Sequence, residues 1–131
     1  MLFRSRDGNA LGWRGYLGHP EGLKTPVEEL SLPLGGASAL QSARDSGEPF
    51  AGAPPSGARP VETKLWAALG ASPEPIEVMC VPIMIKQRAV NLIYGHLIGG
   101  PIPPQLIAEL GDLASRCQTS YLRLIRQARG S

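Results

Sequence analysis

Two neighbouring stretches, Ile76 to Ile85 and Ala89 to Ile98, constrain the fold of this chain more than any other part of it. Both are dense in β-branched and large apolar residues, and only Lys86-Gln87-Arg88 separates them, so they read as the two strands of an antiparallel hairpin. In the first, Val78, Cys80 and Met84 fall on one face and Met79, Val81, Ile83 and Ile85 on the other. In the second, Val90, Leu92, Tyr94 and Ile98 oppose Ile93 and Leu97. A sheet wetted on one side alternates apolar with polar residues, and here neither face is polar. The ribbon therefore needs cover on both sides. That predicts an α+β fold with three layers, α/β/α, around a central antiparallel sheet.

The rest of the chain supplies the missing strands and the covering helices. Leu2 to Arg6, Asp7-Gly8-Asn9 and Ala10 to Leu17 read as strand, tight turn and strand, with Gly12, Gly15 and Gly18 weakening the second. Gly18 to Gly22, which holds His19, reads as loop. Leu30, Leu32 and Leu34 alternate with Ser31 and Pro33, a short strand that Pro33 confines to a sheet edge. The sheet thus has about five or six strands.

Ser38 to Ser46 is a short helix with Ser38 as N-cap and Gly47 as stop, and Val61 to Leu69 a second one ending at Gly70. Leu65, Trp66 and Leu69 give that second helix an apolar stripe. Between the two, residues 47–60 hold Pro49, Pro54, Pro55 and Pro60 and read as a flexible surface loop. After Gly99-Gly100-Pro101, a long helix opens at Pro103 or Pro104. Leu106, Leu110, Leu113, Cys117, Tyr121, Leu124 and Ala128 recur along it at spacings of three and four. Glu109 and Asp112 lie in its first half and Arg116, Arg123, Arg126 and Arg129 follow, a sorting that complements the helix dipole.

With 131 residues, the sequence fits a single domain spanning residues 1–131, on its own or as part of a larger protein. A net charge of +2 gives no concentrated basic footprint, which argues against nucleic acid. No apolar run approaches the ~20 residues of a membrane span; the longest, Val78 to Ile85, contains Pro82. Arg4, Arg6 and Asp7 stand where a signal peptide would be apolar, and Cys80 and Cys117 form no disulfide framework. These features predict a reducing, cytoplasmic setting. Ten of the thirteen cations are Arg amid much Ala and Gly, a composition pointing to a GC-rich, bacterial source.

From Val78 to Ile125 the chain resembles a GAF domain. Val81-Pro82-Ile83 closes one strand, a basic turn follows, Val90-Asn91-Leu92-Ile93-Tyr94 makes the next, and a Gly/Pro break leads into the helix carrying Leu106, Leu110, Leu113, Ala114 and Leu124. The opening hairpin around Ala10-Leu11-Gly12-Trp13 also looks like a GAF beginning. There are departures. Strand-like sequence starts at Leu2 where the family places a helix, and Lys86-Gln87-Arg88 turns the hairpin where the family uses Gly. An Asn-Lys-x-Asp-type motif is missing, as is a Cys followed by His, which disfavours a cyclic nucleotide and a bilin. The resemblance implies a non-catalytic sensory or regulatory domain that binds a small molecule or a protein and relays through its C-terminal helix. Roadblock- or longin-like interaction modules of related architecture, lacking a pocket, are the alternative, and an unrecognised enzyme a third.

Motifs for catalysis are lacking: the chain has no Gly-x-Ser-x-Gly, no P-loop, no Gly-x-Gly-x-x-Gly and no His-Glu-x-x-His. His19, Cys80, His96 and Cys117 show none of the close spacings of zinc ligands, so neither metal nor cofactor is expected. Trp13, Trp66, Met79, Tyr94 and His96 are the candidate ligand-binding residues, the aromatics serving equally well as core. Leu106, Leu110, Leu113, Cys117, Tyr121 and Leu124 are candidates for a dimer or output surface, since so long a stripe can outrun one sheet face. Expected partners are a second copy, attached domains or a small molecule.

Overall fold

The computed structural model describes residues 2–6, 8–14, 30–35, 38–54, 59–69, 75–97 and 100–130. Within them lie strands β1 (Leu2–Arg6), β2 (Asn9–Arg14), β3 (Ser31–Pro33), β4 (Phe50–Gly52), β5 (Val78–Ile85) and β6 (Arg88–Gly95). They form one sheet in the order β3-β2-β1-β6-β5-β4, with each neighbouring pair antiparallel. In sequence, helix α1 (Ala39–Ser46) lies between β3 and β4, α2 (Arg59–Leu69) between β4 and β5, and α3 (Pro104–Gly130) follows β6. Neither strand of the β5–β6 hairpin lies at a sheet edge, and the hairpin is covered on both faces. Val78, Cys80, Leu92 and Tyr94 enter one core with Leu40, Ala43, Leu65 and Trp66 of α1 and α2. Val81 and Ile83 enter another with Ala114, flanked by Leu110, Cys117 and Tyr121 of α3. The expected α+β, α/β/α architecture with a long C-terminal helix is the one observed.

Local details depart from the sequence reading, each for a physical reason. Pairing passes from Ile83 opposite Asn91 to Met84 opposite Ala89, which leaves Val90 as a bulged extra residue. The bulge breaks the two-residue period, so Val90 packs beside Ile93 under α3 instead of with Leu92 and Tyr94. The covered ribbon is also shorter than Ile76–Ile98: β5 begins at Val78, with Ile76 71% exposed, and β6 ends at Gly95. Inside the loop expected over residues 47–60, Phe50 to Gly52 pairs with β5 as an edge strand, a three-residue addition too short to leave a periodic signal. Residues 55–58 of that loop lie outside the described residues, as do the loop holding His19 and residues 15–17 of the second expected strand.

The turn of the central hairpin has two residues, not three, because Arg88 already pairs with Ile85. Lys86 and Gln87 both take positive φ, 49° and 68°, the signature of a type I′ turn. Side chains there are strained by roughly 1–2 kcal/mol each. Replacing Gln87 with Gly removes that strain at some cost in unfolded-chain entropy, so we expect a net gain of about 0.5 kcal/mol. It should appear as a higher urea midpoint at unchanged slope; a loss of stability would contradict the left-handed geometry.

α1 ends as its sequence dictates. The Ser38 hydroxyl accepts the Gln41 N–H at 3.0 Å, and Gly47, at φ 71°, donates its N–H to the Ala43 carbonyl at 3.0 Å. On the other face, Asn91 clamps three elements together. Its amide donates to the Phe3 carbonyl of β1 at 3.1 Å, and its Oδ1 accepts the Tyr121 hydroxyl of α3 at 2.9 Å. Removing one partner of a buried pair strands the other. Tyr121→Phe is therefore expected to cost about 1–3 kcal/mol, while Ser120→Ala on the outer side of α3 costs under about 0.5 kcal/mol; chemical denaturation distinguishes them.

Candidate functional site

On the α1–α2 side of the sheet, Trp66, Tyr94 and His96 bring hydrogen-bonding groups together, with Glu62 buried on the same face of α2 as Trp66. α2 turns one face inward, and Val61, Glu62, Leu65 and Trp66 are all buried on it, as the i, i+3, i+4 rule requires. Below them, Cys80 of β5 and Tyr94 of β6 are paired across the hairpin. The Trp66 indole N–H donates to the Tyr94 hydroxyl at 2.8 Å, and that hydroxyl lies 2.9 Å from His96 Nδ1. The direction of this second bond follows the imidazole tautomer: with Nε2 protonated, Nδ1 accepts the phenol hydrogen, and with Nδ1 protonated, the ring donates to the phenol oxygen. The three side chains make a line from the buried core to the half-buried end of β6, with the rings of Tyr94 and His96 edge-to-face at 5.6 Å.

Glu62 sits beside this line. Its Oε1 accepts the Ala39 N–H at 2.7 Å, supplying the first amide of α1 with an acceptor from a residue 23 positions away. Its Oε2 has no hydrogen-bond partner among the described residues, and the residue is 0% exposed. Burial raises the Glu62 pKa, against a smaller opposing effect of the Ala39 amide. Burial likewise pushes up the Cys80 thiol and the Tyr94 phenol and pulls the His96 imidazole down. All four environments thus favour the neutral form. Cys80 is fully enclosed and held as a thiol, an inert core residue and not a nucleophile. The arrangement can hold a hydrogen-bonded group or register a proton.

Of the residues singled out in the sequence, Trp66, Tyr94 and His96 come together. Met79 does not join them: alternation places it on the α3 side of β5, paired with Gly95, whose bare backbone its thioether methyl covers. The side chain of Trp13 lies outside the described residues. Along α3, Leu110, Cys117 and Tyr121 pack toward the sheet with Ala114, and Leu106 is half-buried, whereas Leu113 is 47% and Leu124 61% exposed. The stripe is therefore two adjoining faces, one used and one open. Arg116 pairs with Asp112 at 2.8 Å, and Arg123 and Arg126 flank Thr119 and Leu122 along a shallow groove of about 260 Å³.

Glu62 is the residue the sequence reading missed. Its signal was present: it lies three and four positions before Leu65 and Trp66, inside the apolar stripe of α2, where a solvated carboxylate has no place. Among the described residues no group of three or more His, Cys, Asp or Glu side chains is placed to hold a metal ion, and no helix is long and apolar enough to cross a membrane. Comparison with protein-family models, with curated proteins and with solved structures finds no match to this chain.

Proposed function

We propose that this chain is a GAF-like regulatory domain without catalytic activity, which binds a small molecule or a protein partner and passes the change on through α3. The observation that carries this reading is the six-stranded order β3-β2-β1-β6-β5-β4, with two short helices inserted mid-chain on one face and the long terminal helix on the other. A six-stranded sheet suits a GAF-like domain better than a roadblock-like one, which has five strands. The line from Trp66 through Tyr94 to His96 supplies the polar groups that a mostly apolar ligand site needs. Cys80 and Cys117, both free, accord with a reducing, cytoplasmic setting.

A ligand that shifts this domain must bind one arrangement of the α1–α2 layer better than another. A metabolite library screened by thermal shift and by the Trp66 indole N–H resonance tests the reading. A hit should raise the melting temperature and move that resonance, and Trp66→Phe should weaken it. Hits that move only α3 resonances would turn the assignment toward a pure interaction module, which the exposure of Leu113 and Leu124 favours.

A further inference from the structure

We propose that Glu62 is a proton-operated latch between α2 and α1, neutral while α2 is seated on the sheet and ionised only when α2 lifts away from the α1 N-terminus. The inference stands on packing and does not depend on the family reading. One carboxyl oxygen is satisfied by the Ala39 N–H at 2.7 Å, and the other is enclosed with no partner among the described residues. An acid tolerates that enclosure far better than a carboxylate does, since the unpaired oxygen of the anion would carry charge into a dry interior. Among the described residues, the α1 N-terminus is the feature that favours the anion, through the Ala39 amide.

The surrounding groups do not offset the charge. From β6 and β5 the facing titratable groups are Tyr94 and Cys80, both held neutral by burial. On α1 the Ser38 hydroxyl is engaged by the Gln41 N–H, and Arg44 and Asp45 bond to each other at the far end of the helix. On α2 itself, Lys64 is exposed and donates to the Ser31 carbonyl at 2.8 Å. His96 reaches this region only through Tyr94 and is itself disfavoured as a cation. Among the described residues Glu62 therefore has no cation facing it.

Opening the latch converts a buried carboxylic acid into a hydrated carboxylate and releases one proton to water. The closed form binds that proton more tightly than the open form, in which Glu62 titrates as an ordinary carboxyl near pH ~4.3. As pH rises above that value, the opening constant grows by up to tenfold per pH unit, until the closed form also ionises and the slope ends. Opening would uncover the Trp66–Tyr94 pair, since Glu62 and Trp66 lie one turn apart on the same face of α2.

Hydrogen exchange of the Ala39 amide and the Trp66 indole on the full chain, corrected for the intrinsic pH dependence of exchange, tests this between pH 5 and 8. In the wild type, protection should fall with rising pH by up to tenfold per unit. In Glu62→Gln, which keeps the acceptor and stays neutral, the fall should disappear and protection at pH 8 should exceed the wild type. His96→Gln should keep the fall, separating the two titrations. Flat protection in the wild type, or a Glu62→Gln variant less protected than wild type at pH 8, would overturn the latch and leave Glu62 as a charged helix cap. Should Glu62→Gln not fold, the carboxyl carbon of Glu62 followed by NMR in the wild type decides the matter. A neutral shift at pH 5 that persists above the ordinary carboxyl range supports the proposal, and an ionised one at pH 5 ends it.

Discussion

Truncating Leu92 to Ala lowers stability by about 2–5 kcal/mol, and truncating Ile83 to Ala lowers it by a similar amount although the two face opposite helices. Leu92 is fully buried between β1 and β5, opposite Phe3 on one side and Pro82 on the other, with the α1–α2 layer above it. Ile83, 2% exposed, faces α3. Each truncation forfeits the transfer energy of the deleted carbons and leaves a cavity that a close-packed interior fills only in part. A domain of this size commonly holds 5–15 kcal/mol in total, so either change removes a large share. Leu113→Ala is the contrast: at 47% exposure it should alter stability by less than about 0.5 kcal/mol. Urea unfolding at constant slope reads all three. A ribbon wet along one flank would make one of the two central truncations as mild as Leu113→Ala, and the three-layer arrangement would then be wrong.

That arrangement was legible because burial on both faces leaves a direct mark: eight consecutive apolar residues from Val78 to Ile85 cannot belong to a half-solvated strand. Ser38 and Gly47 were legible because capping chemistry is local, involving an acceptor for an amide three residues on and a residue able to take φ 71°. What escaped was everything non-local or aperiodic. The Val90 bulge depends on the two-residue turn at Lys86-Gln87 and on Asn91 being drawn toward Tyr121 and Phe3, partners 30 and 88 positions away. β4 exists because the β5 edge offers it unpaired backbone groups, not because Phe50-Ala51-Gly52 has strand character of its own. For the site, aromatic character points to Trp66 and Tyr94, but residue type alone does not separate Met79 from them, whereas its even spacing from Val81 puts it on the other face. Glu62 was missed for the opposite reason. A charged residue on a short helix is ordinarily solvated; its spacing to Leu65 and Trp66 points this one inward, but its partner, the first amide of α1, is supplied only by the fold.

Tyr94→Phe removes the atom that joins the site, and its effects should separate structure from protonation. The ring remains and the volume hardly changes, so packing is kept; what is lost is an acceptor for the Trp66 N–H and the hydroxyl's hydrogen bond with His96 Nδ1. Trp66 is only 5% exposed, and its stranded N–H should cost about 1–3 kcal/mol. The Trp66→Phe single variant and the double variant close a thermodynamic cycle, whose coupling energy should be about 0.5–3 kcal/mol and favourable. The second effect concerns pH. His96 is held below its ordinary pKa chiefly by burial, so as pH falls through about 6.5 the unfolded chain takes up a proton that the folded one refuses, and wild-type stability drops on the acid side. A phenol hydrogen donated to Nδ1 stabilises the neutral imidazole, so where Nδ1 is the acceptor its removal should move the His96 titration toward the ordinary value and flatten that acid-side loss. Glu62 contributes with the opposite sign, because its raised pKa makes the folded state the tighter proton binder as pH rises from the ordinary carboxyl range. Tyr94→Phe should therefore leave a stability profile that declines more steadily from pH 5 to 8 than the wild type does, whereas Tyr94→Phe combined with Glu62→Gln should be nearly level. A His96 resonance that titrates identically in wild type and Tyr94→Phe would show that the hydroxyl does not govern the imidazole, and that the line from Trp66 ends at Tyr94.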